Sequence, residues 1–517
     1  MDKLFAVLDG GTQNVKAFLI DANGFVRAKK IYPAVPYTSS EVDFAEQDTE
    51  SYLALAKKAM REVVKGVPQD ALYGVAITTH RSTLIPVDKN GVPVRPAITW
   101  LDERKTEGLK LPGGLTGLVI KLLGQGYTLK EYQRRSKFNW MRVNEPENYE
   151  KTHRFLTTSS YIFHALTGEF KDSYSMIVGL FPIDLKGLRW HPNPVIYDIF
   201  GVEKEKLPAL VSPGEVAGRV SKAGAAAFGL KEGLPVLIGA GDKQSELLAA
   251  GGINSDILEI SYGTAAVAEM LTDRFVEHAK RYFFTWGSAI PNKWVLEAFV
   301  GRGYWMLSWF SREFARHEVE EAKRRGIAAE DLLDKELLSV PPGSDGLMLQ
   351  PYWAPFAFDP SSKGAIIGFS GIHTRAHVYR AIIEGIAFEL RRVLEIITQY
   401  SGLRPKEIRI GGGGSRCNEI LRITSDVFNL PVRRMHTEFL SALGAAIDLS
   451  VALKVYPDFE TAVRKMSHPK EVFYPREKSV HTYDALYEEV YKSVYPSLKN
   501  LYHKIDEIIK FKNYQRR

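Results

Sequence analysis

Asp242 closes the run Gly239-Ala240-Gly241-Asp242, just after an apolar segment over residues 235–240 that reads as a buried strand. A carboxylate at such a strand end can take the proton of a hydroxyl as that hydroxyl attacks a γ-phosphate. The same acid can instead cap the helix that follows, because Asp accepts backbone N–H bonds readily. Asp9-Gly10-Gly11-Thr12 stands between the apolar runs 4–8 and 15–20. Its glycines let backbone come close to a phosphate, Thr12 can donate a hydrogen bond, and Asp9 can hold Mg²⁺ through water. Ser261-Tyr262-Gly263-Thr264 repeats that logic in the second half of the chain. Gly411 to Gly414 form an unbroken run between a strand pattern and a helical pattern over 418–428, where a nucleotide can lie against bare backbone at a helix N-terminus. Each motif alone is also an ordinary turn, and their pairing across the two halves is what favours phosphate binding.

The elements that must position these residues follow from periodicity and turn chemistry. Asn23-Gly24 and Asn90-Gly91 separate apolar runs and predict hairpins. Residues 50–64 carry a helical pattern. The strand–Gly-Thr–strand unit occurs near residue 10 and again near residue 263, so a duplicated α/β pair with a cleft between the halves is expected. We place the first domain at 1–248 and the second at 249–453. A helical extension over 454–517 should pack on the second domain and kink at Pro496. No Gly-x-x-x-x-Gly-Lys-[Ser/Thr] occurs and the chain does not open with a Rossmann unit, which disfavours both of those nucleotide folds.

The 517 residues are too many for a single core. The net charge of +7 comes from 68 basic and 61 acidic residues spread along the chain, so nucleic acid is not an expected partner. No apolar run approaches a membrane span, and one cysteine, Cys417, fits a reducing cytoplasm.

Several motifs, in order over about residues 5–453, resemble the FGGY carbohydrate kinases, the group that includes xylulokinase and glycerol kinase. Asp9 to Thr12 with Lys16 is similar to the family's first phosphate loop. Lys137-Phe138-Asn139-Trp140-Met141-Arg142 with Asn144 is similar to its first signature, and Gly364 to Phe369 with His377 to Glu384 to its second. Gly412-Gly413-Gly414 through Asn418, then Ser441 to Ala446, resemble the adenosine-binding segment and the helix after it. The resemblance implies two ribonuclease-H-like domains of the actin-like ATPase superfold flanking a cleft. The first would be mainly sugar-binding and the second mainly ATP-binding. It also implies Asp242 as catalytic base, and ATP with Mg²⁺ as cofactors, the metal near Asp9 (through water) and Asp242. Gly11, Thr12, Gln13, Lys16, Gly263, Thr264, Gly413, Gly414 and Asn418 would then face ATP. His80, Arg81, Trp100, Asp102, Trp140, Asp242 and Lys243 would face the sugar. Family members are often homodimers or homotetramers.

The substrate side departs from the family pattern. Thr79-His80-Arg81-Ser82 lacks the Glu of glycerol kinases, and His80 with Trp100, Asp102 and Arg104 is closer to the xylulokinase pattern. Arg81 and Lys243 are unusual there, and the loop 351–356 lacks the Gly-Glu-Arg of many relatives. Two cations can bind a carboxylate, so a sugar acid or oxidised polyol is one expectation. Pairing of Lys243 with Asp102 or another pocket acid, leaving a neutral pentulose, polyol or related sugar, is the other. Two readings of different class stay open: a catalytically weak ATP-binding regulator on the same fold, and an actin- or chaperone-like ATPase.

Overall fold

The computed structural model describes residues 3–41, 43–114, 117, 122, 126–278, 281–354, 359 and 361–509. Residues 355–356 of the substrate-side loop and 510–517 of the expected extension lie outside the described residues.

The Asn23-Gly24 signal is realised. Strands β1 (Leu4–Gly10), β2 (Asn14–Asp21) and β3 (Val26–Pro33) form an antiparallel meander. The Asp21 carboxylate fastens the second turn by accepting the Asn23 and Phe25 N–H groups at 2.9 and 3.0 Å. Beyond β1 the sheet turns parallel, so the chain must cross over. Helix α1 (Thr49–Val63) does this, started by Asp48, whose side chain accepts from the Glu50 and Ser51 N–H groups. β4 (Leu72–Thr79) then pairs with β1, and after β5 (Gly218–Arg219) comes β6 (Pro235–Ile238), parallel to β4. The sheet order is β5-β6-β4-β1-β2-β3.

The second half repeats the plan. Its strands are β7 (Ile257–Tyr262), β8 (Ala266–Thr272), β9 (Phe284–Gly287), β10 (Trp294–Val300), β11 (Glu407–Gly411), β12 (Val432–Met435) and β13 (Pro469–Phe473), in the order β9-β10-β8-β7-β11-β12-β13. The series β10-β8-β7-β11-β12 matches β3-β2-β1-β4-β6 in order and in strand sense. This is the duplicated α/β architecture expected from the motifs.

Packing divides the halves less cleanly than a cut at residue 248. Helices α2 (Lys137–Asn144) and α3 (Asp242–Ala249) come from the first half, and α4 (Arg375–Ser401), α5 (Asn418–Phe428) and α6 (Leu440–Ala452) from the second. Yet Leu443, Ala446 and Leu449 of α6 share one core with Phe5, Val7, Phe18 and Leu237 of the first sheet and Leu248 of α3. A helix rich in small and apolar residues fits between two faces where a bulkier one would not.

The segment after residue 453 is only partly helical. β13 lies within it and closes the edge of the second sheet against β12. The helices that follow pack on α4: the Tyr483, Tyr487 and Tyr491 rings lie 5.9, 5.9 and 5.2 Å from Phe388. The irregularity expected at Pro496 sits earlier, in a widened π-type turn over Leu486–Tyr491, and Pro496 is inside the helix Lys492–Ile509. Pro496 forfeits a single N–H bond within a helical run that is continuous from Glu477, and the wide turn upstream leaves room for its ring.

Candidate active site

β6 ends at Ile238, and Gly239-Ala240-Gly241 carries the chain into α3. Gly241, not Asp242, takes the N-cap position, and Asp242 is the first helical residue. The capping role open to Asp242 in the sequence is therefore not realised. A β-carbon on Gly241 would stand 2.6 Å from Cδ of Arg81, so glycine is what lets Arg81 lie over this turn. The Asp242 carboxylate accepts the Lys243 N–H at 3.0 Å, keeps 26% of its side chain exposed, and lies 4.0 Å from Arg81 Nε.

Both unusual cations face acids of this chain. Arg81 Nη2 meets Glu297 Oε2 of β10 at 2.8 Å, and Glu297 Oε1 accepts the Trp286 indole N–H at 2.9 Å. Burial alone would raise the Glu297 pKa; Arg81 and the hydrogen bonds outweigh it and hold the carboxylate below its usual range. Lys243 Nζ reaches both oxygens of Glu246, at 2.8 and 2.9 Å, and Ser261 Oγ at 2.9 Å. Burial opposes its charge, but Glu246 and Asp242 raise its pKa above the ordinary lysine value. Asp102 is not the partner of Lys243. It accepts the Ala45 N–H at 2.7 Å and Arg104 Nε at 2.8 Å, bracing a buried loop.

The phosphate motifs come together. Asp9 is buried, and its Oδ2 binds Lys16 Nζ at 2.9 Å and the Ser441 hydroxyl of α6 at 2.8 Å. Asp9 is the main reason that the Lys16 pKa is raised. Gln13 Nε2 donates to Thr264 Oγ1 at 3.2 Å, linking two loops 251 residues apart. The Gly11 and Gly263 N–H groups bond to Asn14 and Ala265 carbonyls within their own hairpins, so these glycines shape the turns. On the glycine run, a β-carbon at Gly412 or Gly413 would meet nothing within 4 Å, whereas one at Gly414 would press on Tyr262. Gly412 and Gly413 thus line open space in front of α5, where Asn418 is held by Arg434.

The remaining sugar-side candidates divide. His80 is buried: Nδ1 lies 2.8 Å from the Gly10 carbonyl and Nε2 2.9 Å from Thr83 Oγ1. A carbonyl only accepts, so Nδ1 carries the proton, and burial lowers the pKa and keeps the ring neutral. Trp140 stacks on the Arg104 guanidinium at 4.2 Å. Trp100 is 37% exposed and donates from Nε1 to Thr12 Oγ1 at 2.9 Å, so it joins a candidate sugar-side residue to the Asp9–Thr12 loop. Sequence reasoning missed Glu246 and Glu297. Glu246 had a visible signal, an acid three residues after a lysine on a helix, while Glu297 had only the oddity of an acid in a buried strand. It also missed the role of Lys137, whose Nζ donates to the Ser82 and Thr99 carbonyls at 3.0 and 2.6 Å and so ties the loops of Arg81 and Trp100 together.

Residues 4–249 match the model of the N-terminal domain of the FGGY family of carbohydrate kinases, and residues 258–453 match that of its C-terminal domain. The chain is 29% identical over 503 residues to an uncharacterized sugar kinase, YgcE, of Escherichia coli, covering 96% of this chain and 94% of that one. It is 28% identical over 510 residues to a xylulose kinase of Bacillus subtilis, covering 96% and 97%. The fold superposes on the crystal structure of a gluconate kinase from Lactobacillus acidophilus with a TM-score of 0.82 at 21% identity, covering 98% and 100% of the two chains. Matches to both domain models, over the halves whose sheets repeat one another, lead to one conclusion: the chain belongs to the FGGY family of carbohydrate kinases and is an enzyme of that class.

Proposed function

We propose that this enzyme transfers the γ-phosphoryl group of ATP to a hydroxyl of a small carbohydrate, with Asp242 as the base. The observation that carries this reading is the placement of Asp242: a part-exposed carboxylate at the start of α3, beside two phosphate-type loops that Gln13 and Thr264 link. Asp242 would accept the proton of the attacking hydroxyl. Thr12 and Thr264 each accept one internal hydrogen bond, from Trp100 and Gln13, which leaves their own hydroxyl protons to donate to phosphate oxygens. The open backbone at Gly412 and Gly413 would receive the adenosine.

Mg²⁺ fits the donor set in one manner. Among the described residues no group of three His, Cys, Asp or Glu is arranged to hold a metal ion. Lys16 and Ser441 both bind Oδ2 of Asp9, so a hydrated ion would approach its other oxygen through water, with Asp242 nearby. Bound there with ATP, Mg²⁺ would neutralise charge on the transferring phosphoryl group. No described helix is long and apolar enough to cross a membrane, and the single cysteine supports a cytoplasmic location.

Asp242→Asn tests the assignment. Phosphoryl transfer in a coupled ADP-release assay should fall by about 10²-fold or more, with ATP affinity within about twofold of wild type. Near-normal turnover by D242N refutes the role of Asp242. ATP binding with no phosphorylation across neutral and acidic sugars would instead favour the regulator.

A further inference from the structure

Glu297 reaches the acceptor side from the opposite half of the molecule. It sits in β10, in register with Glu269 of β8, which is in turn in register with Glu259 of β7. All three carboxylates are buried. Of these, Glu297 takes the guanidinium of Arg81, whose Nε lies 4.0 Å from Asp242. The Lys243 ammonium is likewise taken by Glu246. Two cations therefore face three carboxylates, Asp242, Glu246 and Glu297. With these acids in place, neither Arg81 nor Lys243 offers an unpaired charge to an anionic sugar. An arriving carboxylate would have to displace Glu297 from a well-placed buried pair, or sit beside it as a like charge.

We propose that Glu297 is a positioning residue that sets acceptor specificity: by holding Arg81 it confines the site to uncharged sugars or polyols and excludes aldonates. The proposal rests on the phosphoryl-transfer reading above. Its physical content is an exchange. With Glu297 present, Arg81 is fixed over Gly241 and supplies hydrogen bonding without net attraction. Without it, the guanidinium fork is released to bind a carboxylate on the substrate.

The test compares kcat/KM for a panel of neutral ketoses and polyols, including D-xylulose and xylitol, with a panel of aldonates, including D-gluconate. Wild type should favour the neutral class. Glu297→Gln keeps an oxygen to accept the Trp286 N–H and removes the charge, so the aldonate-to-neutral ratio should rise at least about tenfold. Glu297→Asp, which keeps the charge, should return the ratio toward wild type, a rescue that loss of structure alone would not produce. An unchanged ratio in E297Q, or a wild-type enzyme that prefers an aldonate, overturns the proposal. Should E297Q not fold, competition in the wild-type enzyme decides: D-gluconate should not compete with the neutral acceptor, and strong competitive inhibition sinks the idea. Failure of wild type to phosphorylate either class, or full activity of D242N, removes the underlying reading. A dead D242N with a flat E297Q ratio removes only this inference.

Discussion

Replacing Gly444 by alanine puts one methyl group into the seam between the halves. Gly444 lies in α6, against the backbone of Ser245 in α3. Its β-carbon would fall on the Ser245 carbonyl oxygen and stand 2.6 Å from that carbonyl carbon and 2.9 Å from the Ser245 Cα. Carbon atoms pack at about 3.5–4.0 Å, so the two helices must separate by about 1 Å. The obstacle is backbone, so no rotamer change relieves it. A gap of that size forfeits about a quarter to a half of the dispersion energy of the atoms lining it, here Leu248, Leu443, Ala446 and their neighbours in the shared core. Overpacking a tight core costs about 1–3 kcal/mol and more where backbone must move, and we expect about 3–5 kcal/mol for this site. Asp242 begins α3, so the shift should also move the proposed base, and turnover should drop about tenfold or more in the molecules that remain folded. Urea unfolding followed by circular dichroism gives the stability change, and the ADP-release assay at low temperature gives the activity. A G444A protein within about 1 kcal/mol of wild type and with normal kcat would refute the tight seam.

Gly413→Ala is expected to behave in the opposite way. Its β-carbon meets nothing within 4 Å, so stability should be unchanged, while the methyl group should obstruct adenosine and weaken ATP binding about tenfold by calorimetry. Unaltered ATP affinity would move the nucleotide elsewhere. Lys137 predicts a pH dependence. Burial lowers its pKa from 10.5 to about 7, so between those values the unfolded chain binds a proton that the folded one does not. Stability should therefore gain from this residue as pH rises from about 7 to 10.5, so the stability of Lys137→Met relative to wild type should be highest at or below pH 7 and fall as pH rises. At one pKa unit per 1.36 kcal/mol the change approaches about 4 kcal/mol. Urea midpoints for the two proteins that stay parallel from pH 6 to 10 would contradict it.

The motifs of the candidate site were legible because they are local. A glycine turn after a buried strand, with an acid or a threonine at its end, is written within about six residues, and Asp9, Thr12, Asp242 and Thr264 can be found that way. The repeated strand plan was legible for the same reason, since hairpins and crossovers leave short-range marks. The extent of the second sheet was not. β13 reads as part of a tail, and only its pairing with β12 makes it an edge strand.

What the sequence by itself determined is the family and its enzyme class: Asp-Gly-Gly-Thr and Tyr-Gly-Thr turns in the two halves, an acid after β6 and a glycine run before α5, in the order of one kinase family. What only the tertiary structure decided is the pairing of Arg81 and Lys243. Arg81 and Lys243 read as a basic pocket until Glu297, 216 residues from Arg81, and Glu246 take them. The helix α6 that fixes Asp9 through Ser441 likewise belongs to the second half and packs on the first. An ion pair depends on distance and burial, and residues far apart in the chain acquire both only when the two domains close against one another.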